Sequence, residues 1–150
     1  MESVAMTHIT HSEAETETLG AAFAAELPAG SVAALYGDLG CGKTAFVRGM
    51  ARGMGLDQAQ VSSPTFTIVN EYEGEGGKKP LFHFDMYRLG SADELYDIGW
   101  EDYLSRGGVC AVEWSENVPG AFEGDEYVVR FRKLGDTDRE IVIEGGPVTC

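Results

Sequence analysis

The chain has 150 residues, with 11 Lys plus Arg against 25 Asp plus Glu, a formal net charge of −14 and 43% hydrophobic residues. A chain of this length and hydrophobicity buries about 68–70% of the surface of its unfolded form, which fits one domain over residues 1–150 and excludes an intrinsically disordered protein. The excess of negative charge repels a phosphate backbone, so no independent grip on nucleic acid is expected.

The opening MESVAMTHITHSEAETE carries an acid at its second position and no apolar core, so it does not read as a secretory leader and a cytoplasmic location is expected. After a short extended stretch around His8 to Thr10, Ser12-Glu13-Ala14-Glu15 has capping-box spacing. Leu19, Ala22, Phe23 and Leu27 then recur at helical intervals until Pro28, which predicts a first helix. The longest apolar stretch, Gly20 to Tyr36, is interrupted by Glu26 and Pro28 and falls short of the ~20 residues a membrane helix needs. Ser31 to Tyr36 reads as a strand buried on both faces, and a second helix is predicted from Lys43 towards Gly55, with Phe46, Val47 and Met50 inward. Phe66–Tyr72 and Leu81–Asp85 alternate as strands around the polar segment from Glu73 to Pro80, which predicts a hairpin. Ser91-Ala92-Asp93-Glu94 repeats the capping-box spacing and starts a helix that Gly99 interrupts before Trp100 to Leu104. A further apolar strand, Val109 to Trp114, precedes YVVRFRKL and REIVIE, an antiparallel pair around Gly135-Asp136-Thr137-Asp138. Helices interleaved with apolar strands predict an α/β mixed sheet flanked by helices, with antiparallel edge strands at the C-terminus. Cys41, Cys110 and Cys150 are too scattered for a disulfide framework or a CxxC metal pair and are expected as reduced thiols.

Between the second predicted strand and helix lies Gly37-Asp38-Leu39-Gly40-Cys41-Gly42-Lys43-Thr44, which satisfies GxxxxGK(S/T) in the strand–turn–helix setting that the pattern requires. Glycines let successive N–H groups point at a phosphate, and the following helix adds its positive N-terminal end. The run from Gly37 through Gly40, Cys41, Gly42, Lys43 and Thr44 to Ala45 is thus the candidate nucleotide cradle. Lys43 is expected to reach the β- and γ-phosphates, and the Thr44 hydroxyl to ligate Mg²⁺. Cys41 sits where a helix N-terminus can lower a thiol pKa, although a small loop-filling residue is the plainer reading.

In open α/β sheets ligands gather beyond the carboxyl ends of strands, so the acids that close apolar strands are candidates for chemistry. Asp85 closes LFHFD and Glu113 closes VCAVE. Either can hold Mg²⁺ or orient the attacking water, and the two roles cannot be divided between them at this point. Thr65, in Ser62-Ser63-Pro64-Thr65, can act as a switch that senses the γ-phosphate or can sit in an ordinary turn before a strand. His83 alternates with Phe82 and Phe84 and suits a structural place better than a catalytic one. Trp114 follows Glu113 and should point to the other side of the strand, where either partner contact or core packing fits. No (N/T)KxD guanine-reading motif occurs and no DxxG follows Thr65, which disfavours a GTPase and points to ATP. A small-molecule kinase and a nucleotide-gated binding module without significant turnover are the alternatives to an ATPase.

GDLGCGKTAFVRG, SPTFTIVNEY, HFDMYRL, DELYDIGWEDYL and VEW, in that order and over about residues 12–143, closely resemble the bacterial tRNA threonylcarbamoyladenosine biosynthesis ATPase, TsaE (YjeE) family. The resemblance implies a small P-loop ATPase that works with the TsaD and TsaB proteins to form threonylcarbamoyladenosine beside the anticodon of tRNA, without itself transferring the carbamoyl group. It further implies Mg²⁺ contacts at Thr44 and Glu113, a switch threonine at Thr65, an essential switch aspartate at Asp85, and the family tryptophan at Trp114. Glu13 and Arg139 are implied around the adenosine. Cys41 departs from the alanine usual in GDLGAGKT.

Overall fold

The structure is a computed structural model, and it describes residues 6–37, 42–56, 69–72, 78–86, 91–115, 118–122, 124 and 126–145. In chain order the elements are β1 (Met6–Thr10), α1 (Glu13–Ala25), β2 (Val32–Tyr36), α2 (Lys43–Gly53), β3 (Val69–Tyr72), β4 (Leu81–Asp85), α3 (Ala92–Asp97), α4 (Trp100–Leu104), β5 (Val109–Glu113), a 3₁₀ turn (Pro119–Ala121), β6 (Tyr127–Lys133) and β7 (Arg139–Gly145). The seven described strands form one sheet in the order β1-β7-β6-β2-β5-β4-β3. Strands β6, β2, β5 and β4 run parallel, flanked by antiparallel β3 on one side and by antiparallel β7 on the other. The expected C-terminal pair is there, and β1 extends it by pairing antiparallel with β7, His8 opposite Ile141.

The parallel strands are apolar because both their faces are covered. Strand side chains alternate between faces, and this divides β5 cleanly. Val109 and Ala111 join Phe46, Val47 and Met50 under α1 and α2, while Cys110 and Val112 join Phe82, Phe84, Leu95 and Trp100 under α3 and α4. Phe84 meets the Trp100 and Tyr103 rings edge-on, each at 5.1 Å. Burial pushes the Cys110 thiol up from 9.0 to about 12, so it stays protonated and unreactive in the fold.

Helix α1 is present as expected, and Leu27, just beyond its end, is buried in the core. Its buried residues are Thr16, Gly20 and Ala24, whereas Ala22 is exposed. Small residues win that face because α1 lies backbone to backbone against α2: a Cβ on Gly20 would stand 2.2 Å from the Phe46 carbonyl oxygen, and one on Gly49 2.0 Å from that of Glu17. Leu19 and Phe23 flank the stripe and are only partly buried against the core.

The ends of the helices follow from local chemistry. Ser12 Oγ accepts the Glu15 N–H at 3.1 Å, and the Glu15 carboxylate accepts the His11 N–H, one residue earlier than a standard capping box. Ser91 is extended like Ser12 but makes no side-chain cap bond, so the second spacing signal marked a helix start without its usual hydrogen bond. Helix α2 ends at Gly53, and Gly55 is its C-terminal stop, as expected. Gly55 takes the left-handed conformation at φ 78°, its N–H donates to the Arg52 carbonyl and that of Leu56 donates to the Ala51 carbonyl. That is a Schellman ending, in which the glycine lies just past the helix. The β3–β4 hairpin is present over Val69–Tyr72 and Leu81–Asp85; the expected residues Phe66–Ile68 lie outside the described residues.

His11 Nδ1 and Asp138 Oδ1, 3.0 Å apart, tie the start of α1 to the β6–β7 turn. The hydrogen bond to Asp138 raises the His11 pKa above 6.5. The tie therefore contributes fully below pH 6.5 and is lost as pH rises through the raised value. NMR titration of His11 should place its midpoint above 6.5, and Asp138→Asn should return it towards that value; an unshifted midpoint in both forms would refute the contact.

Candidate active site

The loop between β2 and α2 is entered through Gly37, at φ 149°, and left through Gly42, at φ 101°. Both values favour glycine. Gly40 and Cys41, between them, lie outside the described residues, as does Thr65. Gly42 caps α2 without a side chain, so the first N–H groups of the helix face the loop. Around Gly42 the space is walled rather than crowded: a Cβ there would lie 3.7 Å from Thr16 Cγ2 and 3.8 Å from Arg139 Cγ.

Lys43 is buried, at 6% exposure, although it carries a charge. Its ammonium is held by two groups. Nζ donates to the Gly37 carbonyl at 2.6 Å and stands 4.6 Å from the centre of the Trp114 ring. Burial of a lysine is tolerable where a carbonyl dipole and an aromatic face replace its water. Thr44 is half-buried at the second position of α2, and Ala45 is buried against the core.

Asp85 and Glu113 are register partners at the carboxyl ends of the neighbouring parallel strands β4 and β5. By alternation both belong to the sheet face covered by α2, since Leu81, Val109 and Ala111 lie in the core beneath it. The Met86 N–H donates to the Glu113 carbonyl at 3.0 Å, which carries the strand pairing one step beyond the acids. Glu113 is 5% exposed, and its Oε2 lies 2.5 Å from Nε2 of the fully buried His83, within hydrogen-bond distance.

Trp114 packs against the α3 and α4 side, opposite Glu113, as alternation predicts. It does so after leaving the strand, however, with φ 58°, in the left-handed region. This is a strained conformation for a bulky residue and it carries the ring under the Lys43 ammonium. Nothing in the local residue pattern announces it.

Arg139 begins β7, and its guanidinium donates to the carbonyls of Gly135 and Asp138, each at 2.9 Å. Its stem reaches Gly42, so the structure brings Arg139 to the mouth of the loop. Glu13 is exposed in the first turn of α1. Sequence reasoning missed Thr16, which stands beside Gly42 and whose Oγ1 lies 2.8 Å from Thr10 Oγ1. The only available signal was a polar residue on the buried stripe of α1.

A strand, a turn entered and left through glycines, and a helix starting on Lys-Thr, set in a mixed sheet with paired strand-end acids, define a P-loop NTPase-like fold. The crystal structure titled "Crystal structure of Bacillus subtilus YdiB" superposes with a TM-score of 0.78 at 31% identity, covering 97% of this chain and 88% of that one. The family model described as "Threonylcarbamoyl adenosine biosynthesis protein TsaE" matches residues 10–141. The tRNA threonylcarbamoyladenosine biosynthesis protein TsaE of Treponema pallidum is 37% identical over 135 residues, 90% of this chain and 97% of its own length. The Bacillus subtilis protein of the same name is 40% identical over 127 residues, 85% of this chain and 77% of its own. This chain belongs to the TsaE family, whose role lies in tRNA threonylcarbamoyladenosine biosynthesis.

Proposed function

We propose that this chain binds ATP with Mg²⁺ in the β2–α2 loop and hydrolyses it, slowly alone and faster with TsaD and TsaB, in support of tRNA threonylcarbamoyladenosine formation. The observation that carries the reading is the Lys43 ammonium at the start of α2, held between the Gly37 carbonyl and the Trp114 ring, within a fold whose strand-end acids stand side by side.

Mg²⁺ fits this residue set. It is normally held by one or two carboxylates together with substrate phosphates, not by an all-protein cage. Among the described residues no group of three or more His, Cys, Asp or Glu side chains forms such a cage. Thr44, Glu113 and Asp85 are the residues that would hold it. When bound, the ion neutralises charge on the phosphate oxygens.

Lys43 then gives up the Gly37 carbonyl for the β- and γ-phosphates, and the glycine-rich backbone from Gly37 to Ala45 positions them. Asp85 orients the attacking water, which adds to the γ-phosphorus as the bond to the β-phosphate oxygen breaks, releasing ADP and phosphate. Thr65 senses the γ-phosphate, while Glu13 and Arg139 border the adenosine. Trp114 is half-buried, and a partner that engages its open side would act on Lys43 directly. Catalysis here is mostly positioning and charge stabilisation.

The test is release of phosphate to water, with and without TsaD and TsaB. Glu113→Ala should keep most ATP binding and lose Mg²⁺-dependent turnover by on the order of 100-fold, as expected when a charge-stabilising group is removed. Full turnover in that variant would refute its role. ATP consumed only on addition of a small acceptor would indicate a kinase, and binding without turnover a gated module.

A further inference from the structure

We propose that His83 is a positioning residue that holds the Glu113 carboxylate in its cation-binding orientation, an inference that rests on the reading of Glu113 as a Mg²⁺ contact. His83 lies in the middle of β4, fully buried, between Phe82 and Phe84, which face the opposite layer. Its ring is engaged at one end only. Nε2 meets Glu113 Oε2 at 2.5 Å, while Nδ1 is buried with no hydrogen-bond partner. A carboxylate that holds a cation is ionised and only accepts, so in that state the proton bridging the two side chains belongs to Nε2.

Filling space does not account for this choice. Leu81 in its own strand and Ala111, its register partner in β5, are apolar residues of the same face, while its register partner in β3 is Asn70. An aliphatic side chain there would leave no orphaned nitrogen, and buried polar atoms without partners are disfavoured. What the imidazole adds is a directed donor to one oxygen of one carboxylate. Glu113 reaches it from the last position of β5, two residues along from Ala111, the register partner of His83. With Oε2 taken by His83, Oε1 has no partner among the described residues and is the oxygen left for the cation. This is the arrangement in which a ligating carboxylate is itself fixed by a neighbour that never touches the metal.

The experiment measures binding of a non-hydrolysable ATP analogue by calorimetry, without Mg²⁺ and across a Mg²⁺ series, for the native chain, His83→Ala, His83→Gln and Glu113→Gln. His83→Ala should raise the Mg²⁺ concentration giving half of the affinity gain by about tenfold, the usual size for an outer-shell group, and leave Mg²⁺-free binding unchanged. His83→Gln, which keeps an N–H donor, should recover part of the loss. In the Glu113→Gln background His83→Ala should add little further. If Glu113→Gln shifts the Mg²⁺ series and neither His83 variant does, the positioning role is overturned while the Glu113 reading stands. If Glu113→Gln shifts nothing, both fall. Should the His83 variants fail to fold, ¹⁵N-histidine spectra of the native chain decide: a protonated Nε2 that shifts when Mg²⁺ and the analogue are added supports the proposal, and a proton on Nδ1 alone overturns it.

Discussion

Lys43→Ala should lower ATP affinity by on the order of 100-fold, because hydrogen bonds to charged groups are worth about 1.5–3 kcal/mol and Lys43 is placed to serve two phosphates. The fold should survive. The ammonium contacts a loop carbonyl and the face of the half-buried Trp114 ring, and Lys43 itself is no member of either core cluster. Calorimetry with ATP is the measurement, with circular dichroism to show the fold intact. Affinity within threefold of the native value would remove the β2–α2 loop from its assigned role, and the rest of the proposed chemistry with it.

Gly49→Ala should be among the most destabilising small substitutions in the chain. The added Cβ would lie 2.0 Å from the Glu17 carbonyl oxygen, and 2.7 and 2.8 Å from the Glu17 carbonyl carbon and Cα, all of them backbone atoms. Rotamer changes cannot relieve such contacts. Helices α1 and α2 would have to separate, yet Gly20 against Phe46 and Gly53 against Ala21 hold them at the same close distance. A loss of about 3 kcal/mol or more is expected, at the upper end of overpacking. For a domain of this size that lowers Tm by about 10 °C. Gly135→Ala is the control, since nothing lies within 4 Å of its added Cβ. Equal thermal midpoints for the two variants would show that α1 and α2 do not meet as described.

The sequence made some of this legible and hid the rest for physical reasons. Apolar runs located β2, β4 and β5, since strands buried on both faces must be apolar almost throughout, and the phosphate-loop pattern fell where its strand and helix were found. The pairing of Asp85 with Glu113 was foreseeable only as two strand ends; their side-by-side register depends on β4 lying next to β5, a long-range choice that no local pattern encodes. The same holds for β1, whose place beside β7 joins opposite ends of the chain. Periodicity located α1 through Leu19, Phe23 and Leu27 but not its stripe against α2, because it ranks residues by hydrophobicity, whereas that stripe was selected for lack of bulk. His83 was read as structural; its hydrogen bond to Glu113 required two strands to be in place before it could be seen. Trp114 escaped in another way, because a left-handed backbone at a non-glycine residue is a product of its surroundings.

If the β2–α2 loop takes phosphate as proposed, the Lys43 ammonium has to exchange the Gly37 carbonyl and the Trp114 ring face for it. Whatever draws the ammonium away must return more than the Gly37 carbonyl and the Trp114 face together supply, so observed affinity is a difference between two occupied states of one cation. On the proposed reading a lone, weakly basic anion recovers little of that, whereas a polyphosphate that also engages backbone donors can exceed it. Selectivity for chain length of the phosphate would then begin before any contact with base or sugar.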